Sequence, residues 1–114
     1  MHELSITQEI LEIVTRAVPA GQLGLVREIR LKIGEEGHLL PESLLFCFEA
    51  LKADFGMPES KMKLIRVPVT AECKSCGAVS PIVNQIYQCA NCKGTSLKVV
   101  TGNELQVTEI LLDD

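Results

Sequence analysis

Four cysteines carry the clearest chemistry in this chain. The stretch "CKSCGAVSPIVNQIYQCANC" reads C-x2-C, twelve residues, C-x2-C, with Cys73, Cys76, Cys89 and Cys92 as candidate ligands. Each pair can aim two sulfurs at one ion, and the hairpin between the pairs can bring them face to face. Four thiolates then form a closed tetrahedral site for Zn(II). Gly77 follows the first pair, relieving the turn there, and Lys93-Gly94 follows the second. The module contains no histidine, so an intact site is all-cysteine. Such a site leaves no open coordination position and is structural rather than catalytic. Three rivals are weaker. Iron also accepts four thiolates, but nothing else points to electron transfer. A redox C-x-x-C belongs near a helix start in a βαβ unit, which is not predicted here. A nucleic-acid-binding zinc ribbon or transcription adaptor is the serious alternative, because the segment is basic. It offers only Tyr87 for stacking.

A second metal site is suggested by the opening "MHE". The Met1 α-amine, the next backbone amides and the His2 imidazole can reach one ion, and amine and imidazole are both available as neutral donors near neutral pH. Ni(II) and Cu(II) displace amide protons and favour square-planar nitrogen ligands, whereas zinc gains little from such a set. His2 is too large for ordinary removal of the initiator methionine, so the Met1 amine is expected to remain. Glu3 is a candidate through its backbone and as a carboxylate partner for the imidazole N–H. His38, in the turn "EEGHLL", is a candidate extra nickel ligand. Cys47, in "LLFCFEAL", reads as a small buried core residue.

The elements that must position these groups fit one small domain carrying a module: 114 residues, 46% hydrophobic, 23% charged, with three Phe, one Tyr and no Trp. So few aromatics give a modest aliphatic core that a metal staple would help. Five cysteines without a secretory signal or a membrane-length apolar run predict a reduced, cytoplasmic protein. Net charge is −4, yet residues 61–100 carry six basic side chains against Glu72 alone, leaving −9 for the remainder. Two parts of the chain thus face different electrostatic tasks.

Ile6, Ile10, Ile13, Val14 and Ala17 form a helical stripe, and Ser5 with Gln8 is spaced as a capping box that would start this helix near Ser5. "LVREIRLKIG" alternates as a half-buried strand. Pro41 opens a second helix with Leu44, Phe48, Leu51 and Phe55 on one stripe and Gly56 as its stop. "KMKLIRVPVTAE" alternates and runs into the cysteines, with Pro68 marking an edge or the end of pairing. "SLKVV" and "ELQVTEILL" are further strands around the turn "TGN". The predicted fold is α/β, of the α+β kind: a small mixed sheet flanked by two helices, with an inserted zinc-ribbon-like four-cysteine module. Residues 1–67 with 103–114 would form the α/β domain and 68–102 the zinc domain. The closed cysteine site disfavours a metalloenzyme, and without a P-loop, G-x-S-x-G or H-E-x-x-H nucleotide and hydrolase chemistry have no local support, so the chain is expected not to be an enzyme.

Taken together, "MHELSI", "VREIRLKIG", "PESLLFCFEAL", the two C-x-x-C pairs and "TGNELQVTEI" resemble the hydrogenase maturation nickel metallochaperone family (HypA/HybF) over essentially the full length. The resemblance implies that residues 1–67 with 103–114 bind nickel. It implies a site made of the Met1 amine, His2 and the backbone of His2 and Glu3, and zinc on Cys73, Cys76, Cys89 and Cys92. It further implies Ni(II) as cargo for [NiFe]-hydrogenase, with a maturation GTPase and the hydrogenase large-subunit precursor as partners. Urease and its accessory proteins are a second destination for some members. Neither membrane nor nucleic acid is an expected partner. One departure is "CANC", where a Pro after the first Cys is common. Delivery would proceed by a short terminal strand peeling off, donor by donor, as an acceptor takes each vacated position.

Overall fold

The computed structural model describes residues 2–37 and 39–113. Among these residues two α-helices, α1 (His2–Ala17) and α2 (Pro41–Leu51), and a short 3-10 helix (Leu23–Leu25) accompany six strands: β1 (Val26–Gly34), β2 (Lys61–Val67), β3 (Thr70–Cys73), β4 (Val79–Pro81), β5 (Leu97–Thr101) and β6 (Leu105–Leu112). The strands form two three-stranded sheets, ordered β2-β1-β6 and β4-β3-β5. The first sheet is mixed. Gly34 N–H bonds Glu104 C=O and Asp113 N–H bonds Leu25 C=O, which sets β6 antiparallel to β1. Glu35 N–H bonds Val67 C=O, joining the carboxyl ends of β1 and β2 as in a parallel pair. The predicted α+β class with a cysteine module is therefore the fold.

The chain divides into two compact units. One comprises Met1–Leu31, Leu39–Ile65 and Gln106–Asp114; the other comprises Lys32–His38 and Arg66–Leu105. In the first, α1 packs on α2. Ile29 and Leu31 of β1, Leu44 and Phe48 of α2, Leu11 and Val14 of α1 and Met57 are essentially solvent-free. Alternation in β1 fixes this arrangement: Ile29, Leu31 and Ile33 are buried, while Glu28 and Arg30 are half-buried and Lys32 is exposed.

Two readings of α1 need correction. The helix begins at His2, not near Ser5. The Ser5 hydroxyl lies inside the first turn and donates to the His2 carbonyl at 3.2 Å rather than capping. Residues 2–4 contain no Pro or Gly to oppose the helix, and Glu3 is tied to Leu40, so a tertiary tether prevails over a local capping signal. The buried face is also rotated. Thr7, Ile10, Leu11, Val14 and Val18 are buried, whereas Ile13 is 49% exposed and Ala17 is exposed. Thr7 is accommodated because its hydroxyl donates to the Glu3 carbonyl at 2.7 Å.

Pro68 ends the pairing of β2, as expected, and "KMKLIRVPVTAE" is two strands in different sheets. β3 pairs antiparallel with both neighbours, Ala71 opposite Ser80 and Val99. The turn at Asn84 and Gln85 has positive φ at both residues (54° and 60°), and a Val83–Ile86 bridge flanks it. That is the backbone pattern of a tight hairpin matched to strand twist.

Candidate metal centre

The four cysteines are positioned by two matched turns. Gly77 N–H bonds the Cys73 carbonyl at 2.9 Å, and Lys93 N–H bonds the Cys89 carbonyl at 3.0 Å. Cys73 N–H reaches back to Ala78 C=O, and Cys89 N–H to Gly94 C=O. Each turn needs a left-handed residue after its second cysteine: Gly77 at φ 77° and Lys93 at φ 64°. Glycine meets this without steric cost; lysine does not. Lys93→Gly is therefore expected to raise the denaturation midpoint of the metal-loaded chain, by about 0.5 kcal/mol after the flexibility gained by the unfolded chain is subtracted. A lower midpoint would contradict this account of the turn.

The turns bring all four sulfurs within 4.8 Å of one another. Cys73 and Cys92 Sγ lie 3.6 Å apart, and Cys76 and Cys89 Sγ 3.5 Å apart. A tetrahedron with zinc–sulfur bonds near 2.3 Å has edges of about 3.8 Å, so the donor set fits one such ion. Cys73 and Cys89 are buried, and Cys76 and Cys92 are exposed.

Electrostatics in the cluster reflects four sulfurs converging. The Cys76 and Ser75 backbone N–H groups lower the Cys73 pKa. The Cys92 N–H, 3.4 Å from Cys89 Sγ, is the main cause of a Cys89 pKa pushed down to about 6. At Cys92 the Gly94 N–H acts downward, but neighbouring Cys73 and Cys76 sulfurs outweigh it and push the pKa up to about 11. A thiol that ionises readily beside one that holds its proton is what crowded sulfurs do until a divalent cation replaces the protons.

Two further residues tie the second turn in place, and sequence reasoning passed over both. Ser80 on β4 is buried, and its hydroxyl accepts the Ala90 N–H at 3.3 Å. A proline at position 90 would lack that donor. The Asn91 carboxamide N–H points to Cys76 Sγ at 3.7 Å. The signal for Asn91 was in plain view: it is the amide side chain between Cys89 and Cys92 in "CANC".

At the amino terminus, His2 is the first residue of α1 and is exposed. Glu3 is half-buried, and its carboxylate accepts the Leu40 N–H at 3.2 Å, next to the first turn of α2. That hydrogen bond is the main reason its pKa lies below the usual glutamate value. The carboxylate thus accepts the N–H of the N-cap residue, as the acid of a capping box does, while Leu40 supplies no side-chain cap to the first turn of α2. Met1 and His38, the other two predicted nickel ligands, lie outside the described residues. Cys47 differs from expectation. It is half-buried and lines a shallow pocket of about 360 Å³ with Glu3, Leu4, Glu42, Ser43 and Phe46. At about 100° per residue Cys47 falls on the margin of the Leu44–Phe48 face rather than on it.

The chain is similar to known proteins along nearly its whole length. Residues 1–112 match the model of the family described as "Hydrogenase/urease nickel incorporation, metallochaperone, hypA". Hydrogenase maturation factor HypA of Rhodopseudomonas palustris (strain BisA53) is 33% identical over 113 residues, spanning 99% of this chain and 100% of that protein. The Geobacter metallireducens protein of the same name is 34% identical over 110 residues, spanning 96% and 97%. The solution structure of the Ni metallochaperone HypA from Helicobacter pylori superposes with a TM-score of 0.69, covering 97% of each chain. At 18% identity that likeness speaks to the fold. With the family profile matched across the described elements and relatives aligned nearly end to end, the chain belongs to the HypA family of hydrogenase/urease nickel incorporation metallochaperones.

Proposed function

We propose that this protein is a nickel carrier that takes Ni(II) at its amino terminus and hands it on for maturation of [NiFe]-hydrogenase, with urease as a further acceptor. The ligands are the Met1 amine, the backbone amides of His2 and Glu3, and the His2 imidazole. Zn(II) on Cys73, Cys76, Cys89 and Cys92 is structural. Nickel is cargo, and no catalytic step is assigned to the chain. The nickel-binding domain is residues 1–67 with 103–114, and the zinc domain is 68–102. A maturation GTPase and the hydrogenase large-subunit precursor are the partners, in the cytoplasm. The described helices include none long and apolar enough to cross a membrane.

The observation that carries this reading is the placement of His2, exposed in the first turn of α1 in a chain of this family. The first N–H groups of a helix have no intrahelical acceptor. Metallation of the His2 and Glu3 amides therefore breaks no helical hydrogen bond. The helical start also replaces the peeling strand expected from the sequence. Release becomes the unwinding of one terminal turn, held by Ser5 Oγ–His2 C=O, Thr7 Oγ1–Glu3 C=O and Glu3–Leu40. The Glu3 carboxylate, bonded to Leu40, anchors this turn, and His38 is an extra nickel ligand.

The test is Ni(II) titration of the untagged, zinc-loaded protein beside a chain with one Gly inserted between Met1 and His2. A nickel–nitrogen absorption band near one equivalent, lost on insertion, is the expected result. Equal binding by both chains would place the site elsewhere. No nickel binding, with salt-sensitive binding to nucleic acid instead, would favour the zinc-ribbon adaptor.

A further inference from the structure

Backbone N–H groups face sulfurs of the cluster. Ser75 and Cys76 face Cys73, Asn91 and Cys92 face Cys89, and Gly94 faces Cys92. A donor of another kind reaches Cys76: the side-chain carboxamide of Asn91, at 3.7 Å. Cys76 is also one of the two solvent-exposed ligands, so water and electrophiles reach it more readily than the buried Cys73 and Cys89. The amide orientation is dictated by charge. A thiolate attracts the N–H end and repels the carbonyl end.

We propose that Asn91 is a positioning residue of the metal centre: its carboxamide holds the exposed Cys76 thiolate in the ligand set and damps its reactivity. A hydrogen bond to a thiolate withdraws electron density from sulfur. The metal–sulfur bond becomes less covalent, and the sulfur becomes a poorer nucleophile. Asn91 is itself exposed, so it can move without disturbing a packed core. The bond therefore restrains an exposed ligand through a side chain, and Cys76 is the sulfur that would leave first when the ion is withdrawn.

The proposal rests on the four-cysteine metal reading, and the experiment separates the two. The full-length chain is loaded with Co(II), whose sulfur-to-cobalt charge-transfer bands report thiolate donor strength. Asn91→Leu is compared with Gln88→Leu. Gln88 donates to the Lys93 carbonyl at 3.2 Å, so it braces the same turn without touching sulfur. In Asn91→Leu the charge-transfer band is expected to move to lower energy. Modification by N-ethylmaleimide, mapped by mass spectrometry, should accelerate several-fold and begin at Cys76. Zinc affinity should fall about tenfold, the lower end for loss of a partner to a metal ligand. Gln88→Leu should leave the band in place. An unshifted band in Asn91→Leu would overturn the proposal, and an equal shift in both variants would reduce Asn91 to a brace of the turn. A native chain that binds no Co(II) would overturn the metal reading itself.

Discussion

Stripping the metal from the four-cysteine cluster is expected to abolish the native structure of residues 66–105. The reason lies in what that segment buries. Among the largest fully buried side chains of the molecule, Phe48, Leu11, Ile29, Leu31, Leu44, Met57, Val14 and Val26 all lie outside it, and its own members are Cys73 and Cys89. Its remaining buried apolar residues are Val69 and Ala71. Two small side chains cannot offset the entropy of ordering three strands and two turns. A structural tetrathiolate ion contributes on the order of 10 kcal/mol at neutral pH, comparable to the whole stability of a small domain. Chelator with reductant should collapse the amide resonances of Ala71, Val79 and Val99, while those of Leu11, Ile29 and Leu44 stay dispersed. Retained dispersion at Ala71 would refute this. The pH dependence has a definite sign. Cys92 holds its proton to about 11 and Cys89 to about 6 in the metal-free cluster, so metal entry at neutral pH displaces protons, and affinity weakens as pH falls.

Gly34→Ala is expected to be among the most damaging single substitutions outside the metal centre. A Cβ at Gly34 would stand 2.0 Å from the Gly102 carbonyl oxygen, 2.1 Å from its carbon and 2.5 Å from Asn103 N. All three are backbone atoms, so no side-chain rotation relieves the overlap. Two ladder bonds pin the crossing: Gly34 N–H to Glu104 C=O and Glu36 N–H to Gly102 C=O, both 2.8 Å. Making room for a methyl group means breaking one or both. The cost should reach about 3 kcal/mol or more, at the upper end of what overpacking produces. Denaturant unfolding of the metal-loaded chain measures it. A midpoint within ~0.5 kcal/mol of the native chain, the range of an ordinary surface substitution, would show that the two strands separate more easily than their hydrogen bonds imply.

The sequence by itself determined a good deal. The C-x2-C pairs pointed to the four-cysteine cluster that the structure brings together, because ligand spacing in a knuckle is a local property of the backbone and needs no knowledge of the fold. Strand β1 was legible from its alternation, and α2 from Pro41 and the Leu44–Phe48 spacing, because in both a single periodicity coincides with burial. The family, too, was legible in the motifs. Tertiary structure alone decided the rest. Where α1 starts depended on Glu3 reaching Leu40, 37 residues away, a contact that no local capping pattern encodes. Which face of α1 is buried depended on what it packs against, so Leu11 replaced Ile13 and Thr7 entered the core through a bond to its own helix. Cys47 left the core for the same reason. The Gly34–Gly102 crossing and the Asn91–Cys76 contact likewise join residues far apart in the chain. Local chemistry is written in spacing; which groups then face one another is fixed only when long-range packing closes the chain on itself.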